Sequence, residues 1–528
     1  MLHIKTLVYL CCWTLLHKMK TQVLRKRFWT WEGASNATTI DLDPGFGTPK
    51  ALLVYFTENS AGIDAYDTSL ASRTVGVGMI GSTDTAVSSN LRTICNHSSI
   101  TDAVSPTTVR RNHLPNRFIR AQNVAGTTYW DMATVVFATD NVRITPGANT
   151  PQTNGHLDCI FVVFGGDDLR AGVGTYIFSG TAGGTSQLTS LGFQPDLILV
   201  SAAITANSGS ATDDFRFCWG AATRSPLKQK GVYMHVDNTS TPATTDMGTL
   251  SSSDTMIYYS TSNALGPYTH TISGITTGGW TFTSSDAASG TNNVYNYLAL
   301  QTANPADFAL VDLVTATGTG NQSTGLGISG FIPKAIFGAA TNASADNTRA
   351  TTTPGADGFH LFGGQRSNDS KYYNGQGTIQ TNSGGTAVTG TGTAFGRLGP
   401  GDKVYTINNT LLGTVSSVTS NIAMTFAANA TASFASTNFV YSTPGQFCIT
   451  YGAQDAANPS NVFSALASKI IEFGGGTPTD QEVASLTDFN TSNGFNLNFT
   501  TTSGTARRGW IVATKGNERS DANARRFT

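Results

Sequence analysis

The chain carries one local design three times. It appears as "DPGFGTPKALLVYF" at 43–56, as "SLGFQPDLILVSA" at 190–202 and as "GISGFIPKAIFGAA" at 327–340. Each copy has Gly-Phe, a short gap, Pro, one polar residue and an apolar run. A recurring local design indicates a recurring structural unit. The length of 528 residues agrees with this, because one hydrophobic core seldom serves more than about 250–300 residues.

The repeated motif has an architectural interpretation. Gly permits a turn with positive φ, Phe enters the core as the chain turns, and Pro occupies the entry of the next strand, where its missing N–H costs little. The apolar run that follows has lost its polar alternation, which predicts a strand buried on both faces. The motif residues are Gly45, Phe46 and Pro49, then Gly192, Phe193 and Pro195, then Gly330, Phe331 and Pro333.

Other elements recur at matched positions around the motif. Sixteen residues before each motif Gly lie Trp29, Tyr176 and Val314, each within an apolar-polar alternation. An alternating segment ending in Gly and a closing pair of strands follow in the same order. This order predicts modules at 28–166, 172–301 and 305–516. Residues 1–27 are then an N-terminal arm or upstream extension, and 517–528 form a basic C-terminal tail.

The third module is longer than the others because of an insert. Residues 374–441, which include "GTAVTGTGTAFGRLGPGDKVYTI", are typical of a small, self-contained β-domain. Such an insertion in an exposed loop is cheap, because loop closure entropy grows slowly with length. One short helix is predicted just after "KIIEFGGG": Thr479 and Glu482 suit a capping box, and Val483, Leu486 and Phe489 share a helical face.

Composition sets the fold class. Only 12% of residues are charged and Gly numbers 56, which disfavours helices and favours short strands with many turns. The sequence therefore predicts an all-β protein: tandem β-sandwich (jelly-roll-like) modules with an inserted small β-domain and one short helix.

The modules resemble repeats of tail-fibre and other structural proteins of tailed bacteriophages. The segments that carry this resemblance are "TYIFSGTAGGTSQLTSLGFQPDLILVSA", "GGWTF" and "YNYLAL" in module two. The insert is similar to a small β-domain of phage virion proteins, a family that implies a structural role without catalytic residues. Its matching positions are Val388, Gly390, Gly392, Thr393 and Phe395, then Pro400, Gly401 and Asp402, then 415–420. A shorter likeness, of "KIIEFGGGTPTDQEVASLTDFN" to lectin-like sandwiches, favours a jelly roll.

Charge bears on the choice of partners. The net charge of −1 gives no overall positive field for nucleic acid, so none is expected as a partner. Basic residues gather at both ends, where they are either solvated or dock onto an acidic neighbour. They are Lys18, Lys20, Arg25, Lys26, Arg27, Arg507, Arg508, Lys515, Arg519, Arg525 and Arg526. The apolar run 6–16 is too short for a membrane span and belongs to either an upstream extension or a signal or anchor.

No motif nominates a catalytic residue, a cofactor-binding residue or a metal ligand. The six cysteines lack metal or disulfide spacing and are interpreted as free thiols, with Cys159 and Cys218 buried in strands. Two GxGxxG matches, 76–81 and 325–330, do not open a helix. His360 is interpreted as a residue of a strand face. The pairs Asp167-Asp168 and Asp213-Asp214 are either solvated turns or calcium ligands.

Two further residue sets bear on alternative functions. A glycan depolymerase needs two carboxylates, and the glutamates available are Glu32, Glu58, Glu472, Glu482 and Glu518. Aromatic residues in polar surroundings are candidates for sugar or subunit contacts, or else pin loops to their own sheets. They are Trp130, Tyr258, Tyr259, Tyr268, Tyr372 and Tyr373.

These observations predict a non-enzymatic structural component of a bacteriophage virion, assembled in the host cytoplasm. We expect a tail fibre or appendage that acts by protein–protein and host-surface binding. The alternatives are a head decoration or head-fibre protein and a lectin-like glycan-binding adhesin. The expected partners are other virion proteins, further copies of the chain in a homo-oligomer and a host surface glycan, with no cofactor and no membrane span.

Overall fold

The fold is described from a computed structural model. The residues that it describes are 19–29, 37–43, 45–59, 72–81, 91–99, 108–114, 116–122, 127–146, 155–178, 183–202, 212–213, 215–236, 247–259, 268–285, 293–328, 331–347, 356–365, 372–442, 445–454, 463–474, 480–490 and 494–515. Strands dominate these residues and no α-helix occurs among them, so the all-β prediction is confirmed.

The strands fall into three modules and an insert. Module 1 contains β1 (Lys20–Trp29), β2 (Thr38–Asp41), β3 (Pro49–Asn59), β4 (Ser72–Gly81), β5 (Leu91–Ser99), β6 (Thr108–Leu114), β7 (Ile119–Gln122), β8 (Thr128–Ala138), β9 (Asn141–Pro146) and β10 (His156–Gly165). Module 2 contains β11 (Arg170–Phe178), β12 (Thr185–Leu188), β13 (Leu197–Ala202), β14 (Thr212–Asp213), β15 (Phe215–Arg224), β16 (Leu227–Val236), β17 (Met247–Ser252), β18 (Ile257–Tyr259), β19 (Tyr268–Thr276), β20 (Gly279–Ser284) and β21 (Asn293–Gln301).

Module 3 is interrupted by the insert. Its strands are β22 (Phe308–Val314), β23 (Gly320–Gly325), β24 (Pro333–Thr341), β25 (Ala356–Gln365), β34 (Gln446–Gln454), β35 (Phe463–Ala467), β36 (Ile471–Gly474), β37 (Asp480–Asn490), β38 (Gly494–Thr501) and β39 (Arg508–Lys515). The insert contains β26 (Tyr372–Asn374), β27 (Thr378–Thr381), β28 (Ala387–Thr391), β29 (Lys403–Thr406), β30 (Leu411–Ser420), β31 (Ala423–Phe426), β32 (Phe434–Thr437) and β33 (Phe439–Ser442). These eight strands form one sheet over their own apolar core.

The three modules share one topology. Each is a sandwich of a large and a four-stranded antiparallel sheet. In module 1 the large sheet has the order β1-β10-β3-β4-β5-β6 and the small one β2-β9-β8-β7. Modules 2 and 3 repeat both orders with their corresponding strands. The first strand pairs with the last and the second with the last but one, on opposite sheets, which is a wound, jelly-roll-like arrangement.

The predicted boundary between arm and first module is wrong. β1 crosses it, beginning at Lys20, and pairs along its whole length with β10. Module 1 needs this strand because it covers the edge of β10 in the same way as β11 covers β21 and β22 covers β39.

The predicted helix is also wrong: its described residues, Asp480–Asn490, form β37. Two β-bulges, at Val483/Ala484 and Leu486/Asp488, interrupt its pairing with β38. A bulge adds one residue to one strand, so a three-residue spacing returns a side chain to the same face. Leu486 and Phe489 consequently both enter the core of module 3, although their spacing imitates a helix.

The repeated motif lies directly before the third strand of each module. Gly45 and Gly192 have φ of 79° and 69°, the conformation expected of them, while Gly330 lies outside the described residues. Phe46, Phe193 and Phe331 are buried between the two sheets of their own modules. Pro49 and Pro333 are the first residues of β3 and β24, and Pro195 stands two residues before β13.

The large sheets bury their second faces against one another. One apolar core draws residues from all three modules and lies apart from the cores inside the sandwiches. In each large sheet, one row of paired residues runs across the strands on the face that packs against this core. The rows are Val23, Val162, Leu53, Met79 and Arg92 in module 1; Val173, Leu298, Leu199, Ala221 and Lys230 in module 2; Leu310, Val512, Phe337, Gly363 and Phe447 in module 3.

Aromatic side chains join the modules inside this central core. The indole N–H of Trp219 donates to the Tyr55 hydroxyl at 3.2 Å, and that of Trp510 donates to the Trp219 carbonyl at 3.2 Å. The three residues come from modules 1, 2 and 3 and are fully buried. Their indole and phenol groups therefore find hydrogen-bond partners only because the modules meet.

The contacts between modules run head to tail around a ring. From module 2, β14 adds to the edge of β6 in module 1. From module 3, Asp346 forms a bridge with Ser251 on β17 of module 2. In module 1, β3 lies beside β35 of module 3, which closes the circle. Each interface is thus heterologous, and three of them close into an approximate three-fold arrangement within one chain.

The two ends of the ring differ. Trp29, Asn59 and His156 lie side by side, so the segments that follow β1 and β3 and precede β10 leave from one end. Corresponding strand ends of modules 2 and 3 lie at the same end, which we call the loop pole. The opposite end, the turn pole, carries the Gly-Phe turns, the short links 166–169 and 302–307 and the insert.

A glycine on β15 tests the packing of the sandwich. A methyl group at Gly220 would lie 1.9 Å from the Met256 carbonyl oxygen. We expect Gly220→Ala to lower the free energy of unfolding by about 3 kcal/mol, because the backbone must move apart. Differential scanning calorimetry measures this. Gly274→Ala in the same module, where the methyl group meets open space, is the control; an equal effect of both substitutions would contradict the close approach.

Candidate functional site

The three inter-module interfaces contain one recurring contact at the turn pole. Arg25, Thr175 and Asp312 occupy equivalent positions on the first strand of each module, since they pair with the equivalent residues Ile160, Asn296 and Trp510. From the preceding module, Phe447 faces Arg25 and Lys230 faces Asp312. The equivalent row end between modules 1 and 2 is Arg92.

The contact has different chemistry in each interface. Between modules 2 and 3, the Lys230 ammonium donates to Asp312. Between modules 3 and 1, the Arg25 guanidinium lies 5.3 Å from the centre of the Phe447 ring. Between modules 1 and 2, burial lowers the pKa of Arg92 and the nearby Tyr297 phenol opposes the shift. Because the pairs are not interchangeable, they favour one order of modules around the ring.

The insert docks at the interface between modules 3 and 1. Arg25 donates to Asp402 at 2.7 Å and to the Pro400 carbonyl, and Lys26 donates to the Gly396 carbonyl. Arg25 and Asp402 are almost completely buried. Burial raises the pKa of Asp402 to about 6, and the positive charge of Arg25 opposes this.

A second, more exposed ion pair completes the docking surface. Arg397 of the insert donates to Asp41 of module 1 at 2.9 Å, with about a third of each side chain exposed. A narrow pocket of about 30 Å³ remains beside it, lined by Arg25, Asp41 and Tyr441 among others.

Another ion-pair group fixes the loop-pole end of β1. Arg27 donates to Asp158 at 2.6 and 2.9 Å, and His156 lies 3.3 Å from the same carboxylate. Burial raises the pKa of Asp158, but Arg27 and His156 outweigh it and hold the pKa far below its ordinary value. The basic residues 25–27, expected to be solvated or to dock onto a neighbouring protein, are instead buried and used within the chain.

An open cleft of about 700 Å³ lies between modules 2 and 3. One wall is the start of β16, with Leu227, Lys228 and Lys230; the other is formed by Val311, Asp312 and 325–327. Leu227 is 45% exposed. Sequence reasoning missed this cleft. An alignment of the three repeats would have placed Asp312 at the position equivalent to Arg25.

The two carboxylates of this cleft, Asp254 and Asp312, are both engaged by neighbouring side chains. Burial raises the pKa of Asp254, but hydrogen bonds from Ser252, Asn347 and Thr255 outweigh it and hold the pKa below its ordinary value. Asp312 is paired with Lys230. A general acid for glycoside cleavage needs a raised pKa, which the surroundings of Asp254 do not provide.

The glutamates considered for such a reaction lie elsewhere. Glu58, Glu472 and Glu482 are buried on β3, β36 and β37, and none lines either cleft. Glu32 and Glu518 lie outside the described residues. Burial raises the pKa of Glu482 to about 7, although Arg507, with its Nε 3.9 Å from Oε2, opposes this.

The remaining candidates take structural positions. Cys159 and Cys218 are buried in strands, as predicted, and Cys448 is buried as well; none of the three is in a disulfide. The first GxGxxG lies on β4, where a methyl group at Gly78 would meet the Phe118 carbonyl oxygen at 1.9 Å. The second includes Gly327, with φ of 70°, in the turn before β24, and its residues 329–330 lie outside the described residues.

His360 and the aromatic candidates all lie on strands. His360 is buried on β25, with its Nδ1 3.0 Å from the Thr450 hydroxyl. Trp130 is buried in module 1, so it offers no surface for a sugar. Tyr258, Tyr259, Tyr268, Tyr372 and Tyr373 fall on strands, but their side chains lie outside what the structure describes.

Asp167 and Asp168 lie in the turn before β11; Asp213 lies on β14, and Asp214 falls outside the described residues. Within the described ranges, no group of three His, Cys, Asp or Glu residues is arranged to hold a metal ion. No helix in that part of the chain is long and apolar enough to cross a membrane.

Comparisons with known proteins do not assign a family. No protein-family model matches the chain, and no curated protein matches it. Domains LG4-5 of the mouse laminin alpha1 chain align over 55% of this chain and 92% of that one, with 8% identity and a TM-score of 0.10. A superposition with so low a score carries no argument about fold or function.

The buried Arg25–Asp402 pair should hold the insert in place. We expect Arg25→Ala to weaken docking, because removal of one partner leaves a buried carboxylate, a cost of about 3–5 kcal/mol. Hydrogen–deuterium exchange at the Gly401 and Asp402 amides should accelerate by about a hundredfold or more. Arg397→Ala, which breaks the exposed pair, is the matched control and should change exchange by less than about fivefold. Equal protection in both variants would contradict the docking role of Arg25.

The buried Glu482 should make stability depend on pH. Its folded pKa, about 7, exceeds the ordinary value of 4.5. The folded state therefore binds the extra proton between these values, and stability falls as pH rises from about 5 to 8. Across this range the free energy of unfolding of the wild type should fall by about 2–3 kcal/mol, and we expect Glu482→Gln to abolish this fall. Thermal unfolding at pH 5, 6, 7 and 8 measures it; parallel profiles for wild type and variant would contradict the assignment.

Proposed function

We propose that this protein is a non-enzymatic structural component of a bacteriophage virion, a tail fibre or tail appendage that acts by binding other virion proteins and the host surface. The sequence likeness of its modules and insert to phage structural proteins motivates the proposal. In this role the chain works as a rigid scaffold, and its partners are virion proteins and a host surface glycan.

The observation that carries the proposal is the closed ring of three modules of the same topology in one chain. The shared central core makes the ring one rigid body, because each large sheet is buried on both faces. Connecting segments of all three modules leave from the loop pole, while the turn pole holds the short turns and the docked insert. Loops on a rigid β scaffold are a common means of presenting a binding surface.

The approximate three-fold arrangement favours a second candidate, a head decoration or head-fibre protein. Three similar modules around one axis present three similar surfaces, which suits attachment where three capsid subunits meet. The insert occurs in one module alone, so such attachment would use the features that the three modules share.

Electron cryo-microscopy of the intact particle that carries this chain tests both candidates. Density at the tail with the loop pole directed outward is the expected result for a fibre or appendage. Density on the head with the ring axis on a three-subunit junction would favour decoration instead. Absence of the chain from purified particles, assayed by peptide mass spectrometry, would overturn the virion proposal.

Glycan binding has a separate test. We expect the intact protein to bind host surface polysaccharide without releasing reducing ends, as a non-enzymatic binder should. Release of reducing ends by the purified protein would contradict the absence of catalysis. A lectin-like adhesin outside any particle would bind the glycan while being absent from virions.

A further inference from the structure

The open cleft between modules 2 and 3 is the three-fold equivalent of the place where the insert docks between modules 3 and 1. Val311 and Asp312 pair with Ile511 and Trp510, as Leu24 and Arg25 pair with Phe161 and Ile160. Gly325 and Asp41 pair with Gly494 and Asn141, which are the first residues of β38 and β9.

One of these equivalent places shows what kind of structure fits there. At the interface of modules 3 and 1, the segment 396–402 of the insert lies across the first strand of module 1. It contributes the Asp402 carboxylate and the carbonyl oxygens of Gly396 and Pro400. The bound structure is therefore a turn of a small β-domain that presents oxygen atoms to cationic side chains.

The insert replaces a tight turn at this point. In module 2, the corresponding connection between β15 and β16 is only residues 225–226. The chain of module 2 thus supplies no domain of its own to cover the cleft, and Leu227, at the end of this turn, stays 45% exposed.

The charges in the open cleft select the partner. Lys230 is paired with Asp312, and Asp254 accepts hydrogen bonds from Ser252, Thr255 and Asn347. Lys228 is exposed, and among the described residues the structure records no hydrogen bond or ion pair for its ammonium group. Asp254 keeps its negative charge because these donors are neutral, so the four charged lining residues carry no net charge together. Lys228, beside the apolar surface of Leu227, is the lining cation for which no ion pair is recorded among the described residues.

We propose that the cleft between modules 2 and 3 is a docking site for a carboxylate-bearing turn of a neighbouring protein, with Lys228 binding the carboxylate and Leu227 packing under the turn. The site lies at the turn pole, away from the loop pole, so attachment through it leaves the loops free. The proposal extends the proposed function, because it gives the surface by which the ring joins its assembly.

Zero-length carbodiimide cross-linking of the intact particle, followed by peptide mass spectrometry, tests the proposal. This reagent joins an amine to a carboxylate only where the two are in contact. We expect a cross-link from Lys228 to an Asp or Glu of another chain. When particles are assembled with the Lys228→Glu variant, the amount of this chain in the particles should fall at least tenfold, because the new glutamate repels the carboxylate of the partner. Lys403→Glu, at an exposed lysine of the insert, is the control and should leave incorporation unchanged.

The outcomes separate this proposal from the virion role. Particles that contain the chain, in which Lys228 links only to carboxylates of its own chain and Lys228→Glu is incorporated normally, would overturn the docking site alone. Absence of the chain from particles would overturn the virion role. The cross-link is then sought in the complex that co-purifies with the tagged full-length chain, where a sequenced link from Lys228 to another protein supports the site and its absence overturns it.

Discussion

The burial of three large sheets against one another is the constraint on which the rest of the structure depends. A sandwich with one face of its large sheet in water could stand alone, but here the outer faces carry Val23, Leu199, Phe337 and their neighbours, which need a partner surface. The Trp219 and Trp510 indoles make the same point with hydrogen bonds, since both find their acceptors within this shared core. The modules therefore form one body instead of beads on a string.

The departures from three-fold symmetry lie where the ring meets its surroundings. Arg25, Thr175 and Asp312 are equivalent in register but differ in charge, and the equivalent row ends of the preceding modules are one aromatic and two cationic side chains. The cationic version receives the insert, while the version with Lys230 and Asp312 stays open. A repeat that varies at one interface position can thus keep its fold and give each interface a different partner, because the apolar rows beside it maintain the packing.

Part of the fold and little of the site could be predicted from the sequence. The Gly-Phe turns at Gly45 and Gly192 could be predicted because positive φ, a buried ring and a Pro at the strand entry are local requirements. The helix fails because the extra residue at the bulge between Leu486 and Asp488 of β37 imitates helical spacing, and a bulge is visible only once β38 is paired beside it. For the basic residues 25–27 the sequence predicts either solvation or docking onto an acidic neighbour, because the acidic partners Asp158 and Asp402 are 131 and 377 residues away along the chain.

The sequence by itself determined the all-β class, the repeated unit and the presence of an insert, since turn chemistry, strand burial and repeat spacing are properties of neighbouring residues. The tertiary structure alone decided that the three units close into a ring, that the insert covers one interface and that an equivalent cleft stays open. These outcomes depend on which distant surfaces are complementary in shape and charge. Arg25 finds Asp402, and Lys230 finds Asp312, only when the modules are brought together.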